Sequence, residues 1–172
     1  MDAFNVPIYQ LEGFEADDLL GTLSKQAELE NLDTLILTGD SDTLQLVTEK
    51  THVYMSGSNQ KKSLYDIEGV KDRFDGLGPE YVSEIKALQG DSSDNIPGVP
   101  GIGIKTAIKL LTEFNSIENI YNNIDSITPP KAQKSLIENK ELLSRSMKLT
   151  EIVTDAPVKL DLETTRFGDF KS

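Results

Sequence analysis

The chain has no cysteine, which excludes disulfide staples, thiolate nucleophiles and cysteine-ligated zinc. It has one histidine, His52, inside a segment (THVYMS) that reads as a strand, and that residue is taken as structural. Long hydrophobic runs are also missing: nothing approaches the roughly 18 apolar residues that a membrane helix requires. The opening residues, MDAFNVPIYQLEGFEADD, carry neither the basic and then apolar pattern of a secretory signal nor the Arg-rich look of a transit peptide, so the expected address is cytoplasmic, with no membrane partner. Positive charge is scarce, with 17 Lys and Arg against 29 Asp and Glu and a net charge of −12. Such a balance argues against indiscriminate binding to nucleic acid or anionic membrane, unless carboxylates converge on divalent ions that reverse the local field.

What is present fits a folded chain of 172 residues, 37% hydrophobic and 27% charged, enough for one core or one core with a small module. NVPIYQL (5–11) suggests a short strand. Leu19, Leu20, Leu23 and Ala27 recur at helical spacing and predict a helix from about Ala16 to Glu30. The apolar run at 35–37, a turn at 38–41 and a short helix over 43–47 follow, then strands at HVYMS and SLYD. Beyond Asp66 the pattern turns helical: IEGVKDRF, GPEYVSEIKALQG, IKTAIKLLTEF, SIENIYNNI, and one or two helices in KAQKSLIENKELLSRSMKLTEI. The tail from Val153 onward reads as extended or loose. This is an α/β rhythm, with a sheet that can be parallel, followed by a helical region. The coarse boundary lies near 77–79, giving units 1–77 and 78–172 that share one core.

Three phrases concentrate acids: EADD (Glu15, Asp17, Asp18), TGDSD (Asp40, Asp42) and GDSSD (Asp91, Asp94). Helix starts and strand ends can aim such side chains into one crevice. Oxygen ligands of this kind suit hard divalent cations, and several carboxylates can hold two ions about 4 Å apart for phosphoryl chemistry. Each acid also has an ordinary local use. Asp17 can cap the helix, with Glu15 and Asp18 favouring its dipole; Asp40 and Asp42 can satisfy a turn and the next helix start; Asp91 and Asp94 can simply shape their loop.

Directly after the last pair, NIPGVPGIGIKTAIKLL places Gly98, Gly101 and Gly103 in a tight turn, with Pro97 and Pro100 restricting it and Ile102 and Ile104 as anchors. Amides at the following helix start, Thr106, and the lysines Lys105 and Lys109 on one helical face can meet phosphate. The spacing is not a P-loop, because Ile104 separates Gly103 from Lys105. The alternative is a tight connection between packed helices with solvated lysines. Lys61, Lys62, Lys71 and Arg73 read as solubility residues, with a DNA role open for the pair 61–62. Tyr65 and Tyr81 either stack on bases or pack into the fold.

Taken in order, GFEADD, LILTGDSDTLQLV, ALQGDSSDNIPGVPGIGIKTAIKLL and ELLSRSMKLTEIV resemble successive parts of the 5′–3′ exonuclease domain of bacterial DNA polymerase I, related to flap endonucleases, over about residues 4–162. The resemblance implies an α/β, PIN-like nuclease core with a partial, mainly parallel sheet, then a helix, three-turn, helix element that grips duplex DNA. It implies metal ligation and catalysis by Glu15, Asp17, Asp18, Asp40, Asp42, Asp91 and Asp94, with Mg2+ or Mn2+ at two sites. It implies DNA contact through Gly98, Gly101, Gly103, Lys105, Thr106 and Lys109, with K+ at the hairpin. Family members carry a further N-terminal segment with early aspartates and a helical arch, and a polymerase region follows in many; the expectation is that this chain lacks the former. The implied substrate is duplex DNA with a 5′ end or flap. The competing readings are a non-catalytic DNA-binding module and a protein-interaction fragment.

Overall fold

The computed structural model describes residues 6–56 and 64–165. Helix α1 spans Ala16–Leu29 and opens with a capping box: Glu15 is the N-cap, and its own amide donates to Asp18 Oδ2 at 3.0 Å. The cap is therefore Glu15, not Asp17, which leaves the Asp17 carboxyl free to face elsewhere. Strand β1, Thr34–Thr38, pairs in parallel with β2, Thr51–Met55, and β2 pairs antiparallel with the two-residue β3, Leu64–Tyr65. The alternation of β1 and β2 buries Ile36, Val53 and Met55 on one face. On the other face Leu35, Leu37, Tyr54 and Leu64 stay exposed, Leu37 at 69%.

Between β1 and β2, the chain makes a 3-10 helix over Ser41–Leu46. It starts two residues earlier than the sequence pattern suggests, because Asp40 Oδ1 accepts from the Asp42 amide at 2.9 Å and closes the first turn. The strand expected in 5–11 does not form: described residues 6–10 have no regular structure, and Ile8 is exposed. Val6, Ile8 and Leu11 do not keep a strict two-residue period, and so short a run is not enough to make one.

The helical region comprises α2 (Ile67–Arg73), α3 (Val82–Gln89), α4 (Ile104–Phe114), α5 (Ile117–Asn122), α6 (Pro130–Glu138) and α7 (Lys140–Thr150). Helix α3 packs against both α4 and α7. A single buried cluster runs from Ile36, Leu44 and Val53 through Val82, Ile85 and Leu88 to Leu111, Ile120, Leu136 and Leu143, so the sheet and the helices share one core.

The tail after α7 is extended, as its pattern suggests, but it is tied down along α1. The Ala156 amide donates to Thr22 Oγ1 at 3.0 Å; Gln26 bridges the Val158 carbonyl and the Leu160 amide, both at 2.8 Å; Lys25 Nζ reaches Thr154 Oγ1 at 3.2 Å. This close passage accounts for a glycine in mid-helix, since a Cβ on Gly21 would lie 2.9 Å from the Ile152 side chain. Among the described residues no helix is long and apolar enough to cross a membrane.

Candidate metal centre and nucleic-acid interface

The turn after β1, the start of α1 and the loop after α3 meet at one crevice of about 250 Å³, lined by Glu15, Asp17, Asp18, Asp40, Asp42 and Asp94, with Ile96 and residues 149–152 on its far wall. Asp40, Asp42 and Asp94 each offer a carboxylate oxygen, and these three atoms lie within 4.8 Å of one another. That donor set is all hard oxygen, the kind that magnesium and manganese take. Such crowding of like charge is costly without a cation. Burial, then Asp40, Glu15, Asp18 and Asp94 in that order, push the Asp17 carboxyl up to about 6. A larger groove of about 730 Å³ runs beside the C-terminal end of α1 and the tail, away from this cluster.

The three acid-bearing phrases do not contribute equally. Asp18 lines the crevice, yet both its oxygens are engaged, Oδ2 by the Glu15 amide and Oδ1 by the Val153 amide at 2.9 Å. It fastens α1 to the tail. Asp91 and Asp94, three apart, are not on a helical turn: the Asp91 and Ile96 backbones pair at 2.9 and 2.7 Å and fold 91–96 into a closed loop. Asp94 faces the other aspartates, while Asp91 is not among the residues that line the crevice. Asp91 instead takes the Lys86 ammonium on Oδ2 at 2.6 Å and the Ser93 amide on Oδ1 at 2.8 Å, with the Ser93 hydroxyl on the same oxygen. Burial works to raise this carboxyl, but Lys86 and Ser93 outweigh it and hold it at about 2.

Lys86 is the residue that sequence reasoning missed. It is only 6% exposed, on the last turn of α3, and its ammonium contacts both Asp42 Oδ1 and Asp91 Oδ2. It thus bridges two acidic loops and offsets part of their charge from within the core. The one available signal was its position inside the apolar run Ile85, Ala87, Leu88, where a solvated lysine does not belong.

The glycines of the hairpin also separate. Gly98 is buried with φ +57°, and a Cβ there would overlap the backbone of Gln89 and Gly90; Gly90 itself has φ +83°. These two glycines let the chain ends of the acidic loop touch. Gly101, at φ +81°, and Gly103 have nothing within 4 Å of a Cβ position and border open space. Gly103 is the N-cap of α4, and Lys105 and Lys109 are exposed beyond it while Thr106 is half-buried. Val99 and Ile102 anchor the turn in the core. Tyr65 is buried, its hydroxyl accepting from Arg73 Nη1 at 3.1 Å, and Tyr81 is half-buried with its ring packed against the core. Lys71 pairs with Glu68 at 2.8 Å. Lys61 and Lys62 lie outside the described residues.

Two family models tile the chain. One, described as 5′-3′ exonuclease, N-terminal resolvase-like domain, matches residues 1–75; the other, described as 5′-3′ exonuclease, C-terminal SAM fold, matches residues 77–172. The chain belongs to the 5′-3′ exonuclease family. It is 48% identical over 171 residues to DNA polymerase I of Chloroflexus aurantiacus, covering 98% of this chain and 18% of that protein. The chain therefore spans less than a fifth of that relative. Bacteriophage T5 5′-exonuclease with bound zinc superposes with a TM-score of 0.73 at 27% identity, over 86% of this chain and 54% of the other. A T5 D15 flap endonuclease complex with DNA and metal ions gives 0.72 at 26%, over 85% and 53%. The family membership gives the fold as that of a 5′-3′ exonuclease, and the crevice offers three carboxylate oxygens of the kind a divalent cation takes.

Proposed function

We propose that this chain is a divalent-metal-dependent 5′–3′ exonuclease or flap endonuclease unit that hydrolyses DNA phosphodiesters, with the acids of 1–77 and Asp94 forming the reaction centre and 78–172 gripping duplex DNA. The observation that carries this reading is the convergence of Asp40, Asp42 and Asp94 within 4.8 Å beside the hairpin. Those three residues are the ligands for magnesium or manganese in this reading, and Asp17 and Glu15 add charge at the rim. A divalent ion held there supplies Lewis-acid polarisation of a phosphodiester and an activated nucleophile. The chain's own part is orientation: Asp40 is fixed by its bond to the Asp42 amide, Asp42 by Lys86, and Asp94 by the closed loop around it.

Gly101 and Gly103, open to solvent, with Lys105 and Lys109 behind them, form the surface on which a phosphate backbone lies in this reading; Thr106 flanks it and Gly98 shapes the turn from below. A potassium ion enters only through the resemblance. The carbonyls of Val99, Pro100 and Gly103 already accept from Ile102, Ser135 and the amides of 106 and 107, so such an ion would draw on second lone pairs or other carbonyls. The bare sheet face of Leu35, Leu37, Tyr54 and Leu64 is where we place any further polypeptide of the kind the longer relatives contain.

A labelled 5′-flap duplex with magnesium or manganese tests the reading. Metal-dependent cleavage is expected, lowered on the order of a thousandfold by Asp94→Asn, or ~4 kcal/mol of transition-state stabilisation. Flap binding without cleavage at any enzyme concentration would leave a binding module instead. Absence of both binding and manganese uptake would defeat the proposal.

A further inference from the structure

The junction between α7 and the tail reaches both acid-bearing segments through single side chains. Gln45, half-buried in the 3-10 helix that Asp40 caps, donates from Nε2 to the Asp42 carbonyl and to the Thr150 carbonyl, each at 3.0 Å, and accepts at Oε1 from the Ile152 amide, also at 3.0 Å. One residue further on, the Val153 amide holds Asp18 Oδ1. A carboxamide has two N–H donors and one carbonyl oxygen, and Gln45 spends all of them on backbone. A glutamate of the same length lacks the donors, and a methionine keeps the shape without the polarity.

We propose that Gln45 is a positioning residue for the acidic centre. By fastening the Asp42 carbonyl to the α7–tail junction, it sets where the Asp42 carboxylate stands relative to Asp40 and Asp94. The inference rests on the metal-binding reading above. Like charges at 4.8 Å or less drive the three acids apart, so the backbone that carries them must be held from outside the cluster. Gln45 lines neither the crevice nor the hairpin, and its effect passes through the backbone of a ligand, as outer partners of metal ligands do.

The molecule contains its own control. Gln26 ties the same tail to α1 with the same chemistry, through the Val158 carbonyl and the Leu160 amide, but neither of those partners lines the acidic crevice, whereas Asp42 and Thr150, the partners of Gln45, do. Manganese titration calorimetry on the 172-residue chain is run on wild type, Gln45→Met, Gln45→Glu and Gln26→Met, at a temperature where circular dichroism shows each folded. Both Gln45 variants are expected to weaken manganese binding by about 10- to 100-fold, and Gln26→Met to leave it within about twofold while losing thermal stability. Unchanged affinity in the Gln45 variants overturns the proposal, and so does equal weakening by Gln26→Met, which would assign the effect to tail docking in general. Should Gln45→Met not fold, Gln45→Glu decides, since it retains the length and the acceptor for Ile152; wild-type affinity there overturns the proposal. Failure of wild type to take up manganese sinks the functional reading itself, and is seen before any variant is compared.

Discussion

The acidic crevice and the hairpin beside it are ordered by opposite means. In the crevice, side chains of one sign are forced together and partly buried, and the fold resists them: burial first, then its acidic neighbours, push Asp17 up to about 6, and Lys86 is drawn into the core to offset Asp42 and Asp91. In the hairpin, the backbone does the work, with Gly98 and Gly90 in left-handed or glycine-favoring conformations and their chains in contact. The first region is short of positive charge, and a bound divalent cation would complete it. The second needs nothing added to hold its shape. A turn can thus be rigid by itself while the adjacent acidic crevice is left electrostatically unfinished.

The largest effect that would test this contrast is loss of the internal cation. Lys86→Met leaves two mostly buried carboxylates facing each other and is expected to destabilise the fold by about 3 kcal/mol in urea denaturation. Manganese should restore part of that loss. A change below 1 kcal/mol would mean that the crevice is not under charge stress. At the hairpin, Gly98→Ala is expected to cost a similar amount, about 3 kcal/mol, because the methyl has only backbone to displace, whereas Gly101→Ala costs about 1 kcal/mol, the strain of positive φ in open space. Equal costs at the two glycines would break the distinction drawn between them. Smaller again, Lys105→Ala with Lys109→Ala should weaken binding to a flap duplex by about tenfold and reduce the salt dependence of binding by roughly two charges, read from affinity against salt concentration.

The smallest effect is one of pH. A carboxyl with a folded value of about 6 against 3.8 unfolded keeps its proton in the folded chain after the unfolded chain has released it. Its contribution to stability is therefore present near pH 4 and lost as pH rises through 6. In metal-free protein, Asp17→Asn should flatten the fall in thermal midpoint between about pH 4 and pH 6. Asp91, held at about 2, contributes with the opposite sign but only below its unfolded value of 3.8, outside that window. An identical pH slope in wild type and Asp17→Asn would remove the charge-stress argument for this residue.

Much of this organisation was legible in the chain because it is local. Helix α1 ends within one residue of its expected limit, and the glycine-rich stop before α4 marks the helix start correctly, since caps and breakers act over three or four residues. The gathering of acids from separate phrases was legible only as an accumulation of ordinary capping residues, and in fact several do both jobs: Asp40 caps its turn and also joins the cluster. What stayed hidden is non-local. Nothing in EIKALQ reveals that Lys86 has partners at 42 and 91, and nothing in the tail reveals that its amides find Thr22, Gln26 and Gln45 more than a hundred residues earlier. The reading of Asp91 and Asp94 as residues that shape their loop is local and was legible, and the loop is closed by the Asp91–Ile96 backbone pair.

The contact between Gly90 and Gly98 closes a ring of chain that has Asp94 at its tip and the hairpin at its foot. The distance from the hairpin to the acidic crevice is consequently a property of a few covalently linked residues. On the proposed function, where along a bound strand the scissile bond falls would be measured off by that loop, and an inserted or deleted residue between 91 and 97 would shift the register of the cut instead of merely slowing it.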